Sequence, residues 1–239
     1  MYKWYQNSSV CYAYLSDVPT SGSPRGLNLD LFSRSRWFTR GWTLQELIAP
    51  KTVNFFARDW SLLGTRQTLA RELEAITRIS WEVLVDGRDM SSAALARTCI
   101  AQRMLWASGR QTTRDEDMAY CLMGLFQVHM PVIYGEGLSS AFKRLQLEII
   151  KTSPDQSIFA WNAPRNNSGL LAESPADFAQ SSSIIQGTEG PHWWATYVPF
   201  SMTNFGISIN LLLYEPPDAK GRAIVLARIG MRRHGSNPL

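Results

Sequence analysis

The chain has 239 residues, 45% hydrophobic and 18% charged, with 24 Lys+Arg against 20 Asp+Glu. That length, with 9 Trp, 8 Tyr and 10 Phe, excludes global disorder and allows a sizeable buried core. The formal charge of +4 comes from basic residues scattered singly, which marks no specific nucleic-acid track, and no run approaches the ~20 apolar residues of a membrane span.

Residues 1–7 read as the tail of an amphipathic helix, with bulky Tyr2, Trp4 and Tyr5 and no preceding cap. The β-formers from Val10 to Leu15 suit a buried parallel strand, and Thr20 to Asn28, rich in Gly, Ser and Pro, is the loop after it. From Ser33 the pattern predicts a helix with Trp42, Leu44, Leu47 and Ile48 on one face and Pro50 at its end. Thr52 to Phe56 predicts a second strand, and Leu69, Leu73, Ile76 and Ile79 recur at helical spacing. A further helix is expected over about Ser91 to Ser108. Thr113-x-x-Glu116 has the form of a capping box opening a helix that carries Ala119 to Phe126. Gly135 and Gly137 flank a turn, and Leu138, Phe142, Leu145, Ile149 and Ile150 form a helix face closed by Ser153-Pro154. Beyond Trp161 the composition shifts to Ser, Asn, Gly and Pro with short β-like runs at 193–200, 206–214 and 223–229. Alternating strands and helices give an α/β class followed by a smaller β-rich region.

The sequence contains no P-loop, GxGxxG, HExxH or GxSxG motif. Its three histidines, His129, His192 and His234, read as structural or surface residues. Cys11, Cys99 and Cys121 show no ligand spacing and read as reduced, buried thiols, so no metal or resident cofactor is expected. With no secretory signal order at the N-terminus, the expected setting is the cytoplasm. Chemistry concentrates in Arg40-Gly41-Trp42-Thr43-Leu44-Gln45-Glu46, where a carboxylate lies one turn from an indole and near a guanidinium. Such a carboxylate suits acid/base work or stabilisation of an oxocarbenium-like centre. Thr43-x-x-Glu46 is equally a capping box, and composition alone favours the cap. Arg110, Arg114, Asp115, Glu116 and Asp117 suggest an ion-pair network at a helix start.

The segments SRWFTRGWTLQELIAP, RMLWASGRQTTRDEDMAYCLMGLFQVHMPVIYGEG and AFKRLQLEIIKTSPDQSIFAW resemble the fungal HET (heterokaryon incompatibility) domain over roughly Tyr2 to Trp161. The resemblance implies a role in non-self recognition and regulated cell death, with protein partners and self-association. It divides the chain into the C-terminal part of a HET domain (1–110), a helical HET-associated segment (111–161) and an incomplete β-rich region (162–239). It also implies that the chain begins after an earlier Ser-Tyr/His-x-Trp-Gly-like strand and a Trp-Ile-Asp-x-x-Cys-Ile-like segment of such domains. An isolated chain of that kind is expected to be poorly soluble.

HET domains are distantly similar to TIR domains, which are flavodoxin-like and in several cases cleave NAD with a glutamate in a Ser-x-Trp-Cys-x-x-Glu-Leu-like motif. Ser35-Arg36-Trp37 followed by Trp42 to Leu47 is similar to that motif, with more residues between Trp37 and Glu46. For a complete domain the resemblance implies Glu46 as catalytic carboxylate, Trp42 as a wall for NAD, and Arg40 as partner of its phosphate, and this chain by itself is expected to be inactive. A non-enzymatic assembly module and an inactive fragment are the alternatives.

Overall fold

The computed structural model describes residues 1–19, 28–86, 95, 97–163 and 169–184, with the backbone of 185–186 and of short strands between 201 and 233. β1 (Cys11–Tyr14) runs parallel to β2 (Val53–Phe56), with Cys11 opposite Val53, and β3 (Leu62–Thr65) returns antiparallel beside β2. This mixed three-stranded sheet and the helices around it make the chain α/β. The expected burial of the first strand is only half met. Ala13, Val53 and Phe55 face the core, whereas Tyr12 and Tyr14 on the opposite face of β1 are 60% and 36% exposed.

On the buried face Phe32, Trp37, Phe38 and Phe55 pack with ring centroids 5.1 to 6.2 Å apart, mostly edge to face. Such contacts add to the burial of their large apolar area. The same buried cluster continues through Leu69 and Leu73 of α4 (Ala70–Thr77, numbered below) to Phe142, Leu145 and Ile149.

The helix expected from Ser33 to Pro50 is instead three pieces: α2 (Leu29–Ser33), a 3₁₀ turn (Arg36–Thr39) and α3 (Thr43–Ile48). The break has a tertiary cause. Around Arg40 the backbone leaves the helix to pair with Gln111, Gln111 donating to the Thr39 carbonyl and Gly41 donating to the Gln111 carbonyl at 2.8 Å. A Cβ on Gly41 would lie 2.5 Å from Thr112 Cγ2, so only glycine permits this approach.

A helix of six residues has little stability of its own. Buried arginines hold α3 at both ends. Arg66 donates to the carbonyls of Leu47 and Ile48 at the C-terminal end and to that of Lys51 beyond it. Arg110 donates to the Arg40 carbonyl at 2.9 Å and to Thr43 Oγ1 at 2.9 Å before the first turn. Burial pushes both guanidiniums down to about 10.

Further α-helices among the described residues are α4 (Ala70–Thr77), α5 (Trp81–Asp86), α6 (Ile100–Ala107), α7 (Asp117–Tyr120) and α8 (Leu138–Thr152), preceded at the N-terminus by α1 (Tyr2–Gln6). The capping box expected at Thr113-x-x-Glu116 does not form. Glu116 is itself the N-cap of a one-turn helix, and its carboxylate is engaged elsewhere. The helix expected over about Ser91 to Ser108 is interrupted: Leu95 is helical, the backbone leaves the helix at 97–99, and α6 starts afresh at Ile100 with Cys99 as its N-cap.

In the C-terminal part the described backbone comprises separate antiparallel pairs. β4 (Ile184–Gln186) lies beside β9 (Met231–Arg233), β5 (Ser201–Thr203) beside β6 (Gly206–Ser208), and β7 (Leu212–Tyr214) beside β8 (Leu226–Arg228). The β-like run at 193–200 and the side chains of His192 and His234 lie outside the described residues. No described helix is long and apolar enough to cross a membrane.

Arg66→Met removes the donors to the Leu47, Ile48 and Lys51 carbonyls while leaving apolar bulk. The expected loss is roughly 3 kcal/mol, since hydrogen bonds from a charged donor contribute more than neutral ones and relief of the buried charge offsets part of their loss. Urea unfolding checks it, with Arg66→Lys expected in between.

Candidate functional site

A cavity of about 730 Å³ opens between α1, the start of α3, α7 and the turns that follow α7; among its walls are Tyr2, Trp4, Trp42, Gln45, Tyr120 and Met123. The seat of α1 depends on Gly124, where an added Cβ would lie 2.2 Å from Tyr2 Cβ. Lys3, Gln127 and the exposed His129 also border the cavity.

Trp42 is half-buried, and its indole Nε1 donates to Asp117 Oδ2 at 3.3 Å. Tyr134 donates to the other oxygen of Asp117 at 3.1 Å, and the Arg114 guanidinium sits 4.3 Å over the Tyr134 ring. One carboxylate therefore orients the indole and ties it to the loop before α8. Gln45 is 3% exposed and its Nε2 donates to the Cys121 carbonyl. A carbonyl accepts only from the amide nitrogen, which fixes the amide orientation and leaves Gln45 Oε1 buried without a hydrogen-bond partner.

The floor is a buried polar network. Tyr120 hydroxyl accepts from the Ile133 amide at 2.9 Å and lies 2.8 Å from both the Ile133 carbonyl and Glu136 Oε1. Glu136 pairs with Arg144 of α8. Burial, with the adjoining Glu136, raises the Tyr120 hydroxyl above its ordinary value, so it stays a proton donor at neutral pH. Glu116 Oε1 accepts from the amides of Gly135 at 2.7 Å and Gly137 at 3.1 Å. Those glycines have φ of +96° and +77°, the conformation that turns both amides toward one carboxylate.

The three residues singled out in the sequence part company here. Trp42 is a cavity wall. Glu46 is not among the lining residues; its Oε1 accepts from Tyr5 hydroxyl of α1 at 3.1 Å. Burial, then the Glu46 charge, pushes Tyr5 up to about 12 and the neighbouring Cys11 thiol up to about 11. Arg40 is exposed and outside the lining, and it contributes its carbonyl to the Arg110 clamp.

The capping role for Glu46 is overturned. The N-cap of α3 is Trp42, without a side-chain cap bond, while Thr43 Oγ1 lies 2.6 Å from the Trp37 carbonyl and 2.8 Å from the Arg40 carbonyl, its one proton shared between them. The ion-pair network expected around Arg110 to Asp117 is also replaced. Arg110 bonds to carbonyls and a hydroxyl, Arg114 stacks on Tyr134, and Glu116 holds backbone amides. Gln45, Tyr120 and Gly124 were not singled out from sequence. The one signal for Gln45 is an amide lodged among apolar positions of a buried helix.

Residues 140–192 match a family described as a domain of unknown function (DUF8212). The chain is similar to vegetative incompatibility protein HET-E-1 of Podospora anserina, with 35% identity over 234 residues, 96% of this chain and 16% of that protein. It therefore spans about a sixth of the length of the curated relative it matches. No solved structure matches the chain.

Glu116 yields a pH prediction. Its own amide and those of Gly135 and Gly137 hold its carboxyl below the ordinary range. The stabilisation is therefore complete above the unfolded-state value and is lost as pH falls through the lower folded value. Thermal unfolding followed from neutral pH downward should show this acid-side loss in the unsubstituted chain and a weaker pH dependence in Glu116→Gln.

Proposed function

We propose that the chain acts in fungal vegetative incompatibility as a HET-type domain, the part of such a protein that drives cell death after fusion of unlike hyphae. The observation that carries this reading is the 35% identity with HET-E-1 across 96% of the chain. The proposed setting is the cytoplasm, with protein partners of the incompatibility response.

Its proposed chemistry is cleavage of NAD between nicotinamide and ribose. The C–N electron pair leaves with nicotinamide, and water adds at the ribose carbon and releases a proton. Glu46 stabilises the oxocarbenium-like centre and takes that proton, Trp42 walls the ring, and Arg40 pairs with phosphate. Two features support the assignment: Trp42 already walls a cavity large enough for such a ligand, and Glu46 lies one turn along the same helix. Glu46 also carries a requirement. Tyr5 must release it, so α1 moves before chemistry.

NAD consumption by the purified chain tests this. Glu46→Ala and Glu46→Gln should lower turnover by ~100-fold or more, as loss of a positioned acid/base group does. Tyr5→Phe should raise it. Undiminished turnover in both Glu46 variants overturns the assignment.

A specific observation favours a second reading, killing by assembly without catalysis. Among the described residues one face of the sheet carries exposed aromatic rings: Tyr14 stacks on Trp60 at 4.5 Å, Tyr12 meets Phe56 edge-on, and Trp60 is 59% exposed. Under that reading, Glu46 variants stay toxic in cells, while Tyr12→Lys and Trp60→Lys abolish both toxicity and concentration-dependent association in sedimentation.

A further inference from the structure

β1 stands at one edge of the three-stranded sheet and β3 at the other. Cys11 and Leu15 donate their amides to the Thr52 and Phe56 carbonyls on the β2 side, so the alternation of the strand turns the backbone N–H and C=O groups of Tyr12 and Tyr14 away from β2. Among the described residues those outward groups meet no partner.

The two edges differ in how they would receive another strand. β3 is bulged: Phe55 pairs with Gly64 and Phe56 with Leu62, which leaves Leu63 over. A bulge twists an edge away from pairing. β1 matches β2 residue for residue, and from Val10 to Ser16 the sequence holds no Pro, Lys, Arg, Asp or Glu, the residues that keep strand edges apart.

The same stretch is complementary to itself. In an antiparallel pair of copies centred on Ala13, Tyr12 of each copy lies opposite Tyr14 of the other, and each such pair exchanges both of its outward backbone bonds. Cys11 then lies opposite Leu15, Val10 opposite Ser16 and Ser9 opposite Asp17, so no like charges are opposed. A two-fold axis perpendicular to the sheet keeps the tyrosines of both copies on one face, where cross-strand aromatic pairs add to the backbone bonds.

We propose that β1 is the seam of a two-fold dimer of this chain, in which the β1 strands of two copies pair antiparallel through Tyr12 and Tyr14 and join two three-stranded sheets into one. For its consequence in the cell this rests on the assembly reading above, and it specifies the contact: copies that associate through Trp60 without pairing their strands satisfy that reading and not this one. A seam this short is smaller than a standard interface, so the dimer is weak and forms only at high concentration.

Residue-resolved amide hydrogen exchange on the unsubstituted chain, with sedimentation over the same range of ~10 μM to ~500 μM, tests it. The Tyr12 and Tyr14 amides should exchange freely in the monomer and become protected together, by about tenfold or more, as the dimer forms. Association that leaves both amides unprotected overturns the proposal and leaves the assembly reading standing. A chain that stays monomeric throughout overturns both. Protection of both amides already in the monomer overturns it too, because another segment of the same chain then occupies the edge. Two variants separate backbone from ring: Tyr12→Val removes the ring and keeps the N–H, whereas Tyr12→Pro removes both and leaves the bonds to β2 in place. Tyr12→Pro should weaken dimerisation about thirtyfold more than Tyr12→Val, because each dimer loses two hydrogen bonds, and equal weakening overturns the proposal. The exchange measurement decides the matter even where Tyr12→Pro fails to fold.

Discussion

A helix of fewer than two turns sits at the centre of this molecule, and two buried guanidiniums hold it. Arg66 stands at the negative end of the α3 dipole, where a cation is favoured. Arg110 stands at the opposite end, where the dipole disfavours it, and remains there because the Trp106 and Arg40 carbonyls and Thr43 Oγ1 all accept from it. Neither arginine faces a carboxylate in these bonds. These bonds run to neutral oxygens, so the two cations complete the backbone there in place of continued helix.

Everything in the candidate site inherits its position from that arrangement. With α3 fixed, Trp42 and Gln45 project toward α7 and the cavity, while Glu46 meets Tyr5. α1 contributes to both, Tyr2 to the cavity and Tyr5 to Glu46, so one five-residue helix separates the conspicuous carboxylate from the ligand space. Glu116 and Glu136 perform a comparable service beneath, linking α7 to the start of α8.

Local pattern was legible where local forces decide. Val53 and Phe55 alternate with Asn54 and Phe56 as a half-covered strand should, and Phe142, Leu145 and Ile149 mark the inner face of α8. Ser153 and Pro154 stop that helix as their chemistry requires. Legibility ended where partners distant in sequence intervene. The pairing of Arg40 with Gln111 breaks a helix that the apolar spacing supports, and Glu116 abandons a local cap for two glycine amides about twenty residues on. Glu46 was legible as a conspicuous residue but not as one covered by Tyr5, because no periodicity encodes a contact between residues 41 positions apart. Gln45 was overlooked for a related reason: an orphaned atom is a property of the packed state.

The bonds that define α3 also bear on how the chain folds. Arg110 meets Arg40 and Thr43 across separations of 70 and 67 residues, and Gln45 meets the Cys121 carbonyl across 76. Each of these loops must close, at an entropic cost, before its bonds can form. The fifteen-residue α8, by contrast, is long enough to form most of its bonds within itself. The order of α3, and with it the placing of Trp42 and Gln45, therefore depends on bringing distant parts of the chain together rather than on the six residues of the helix itself.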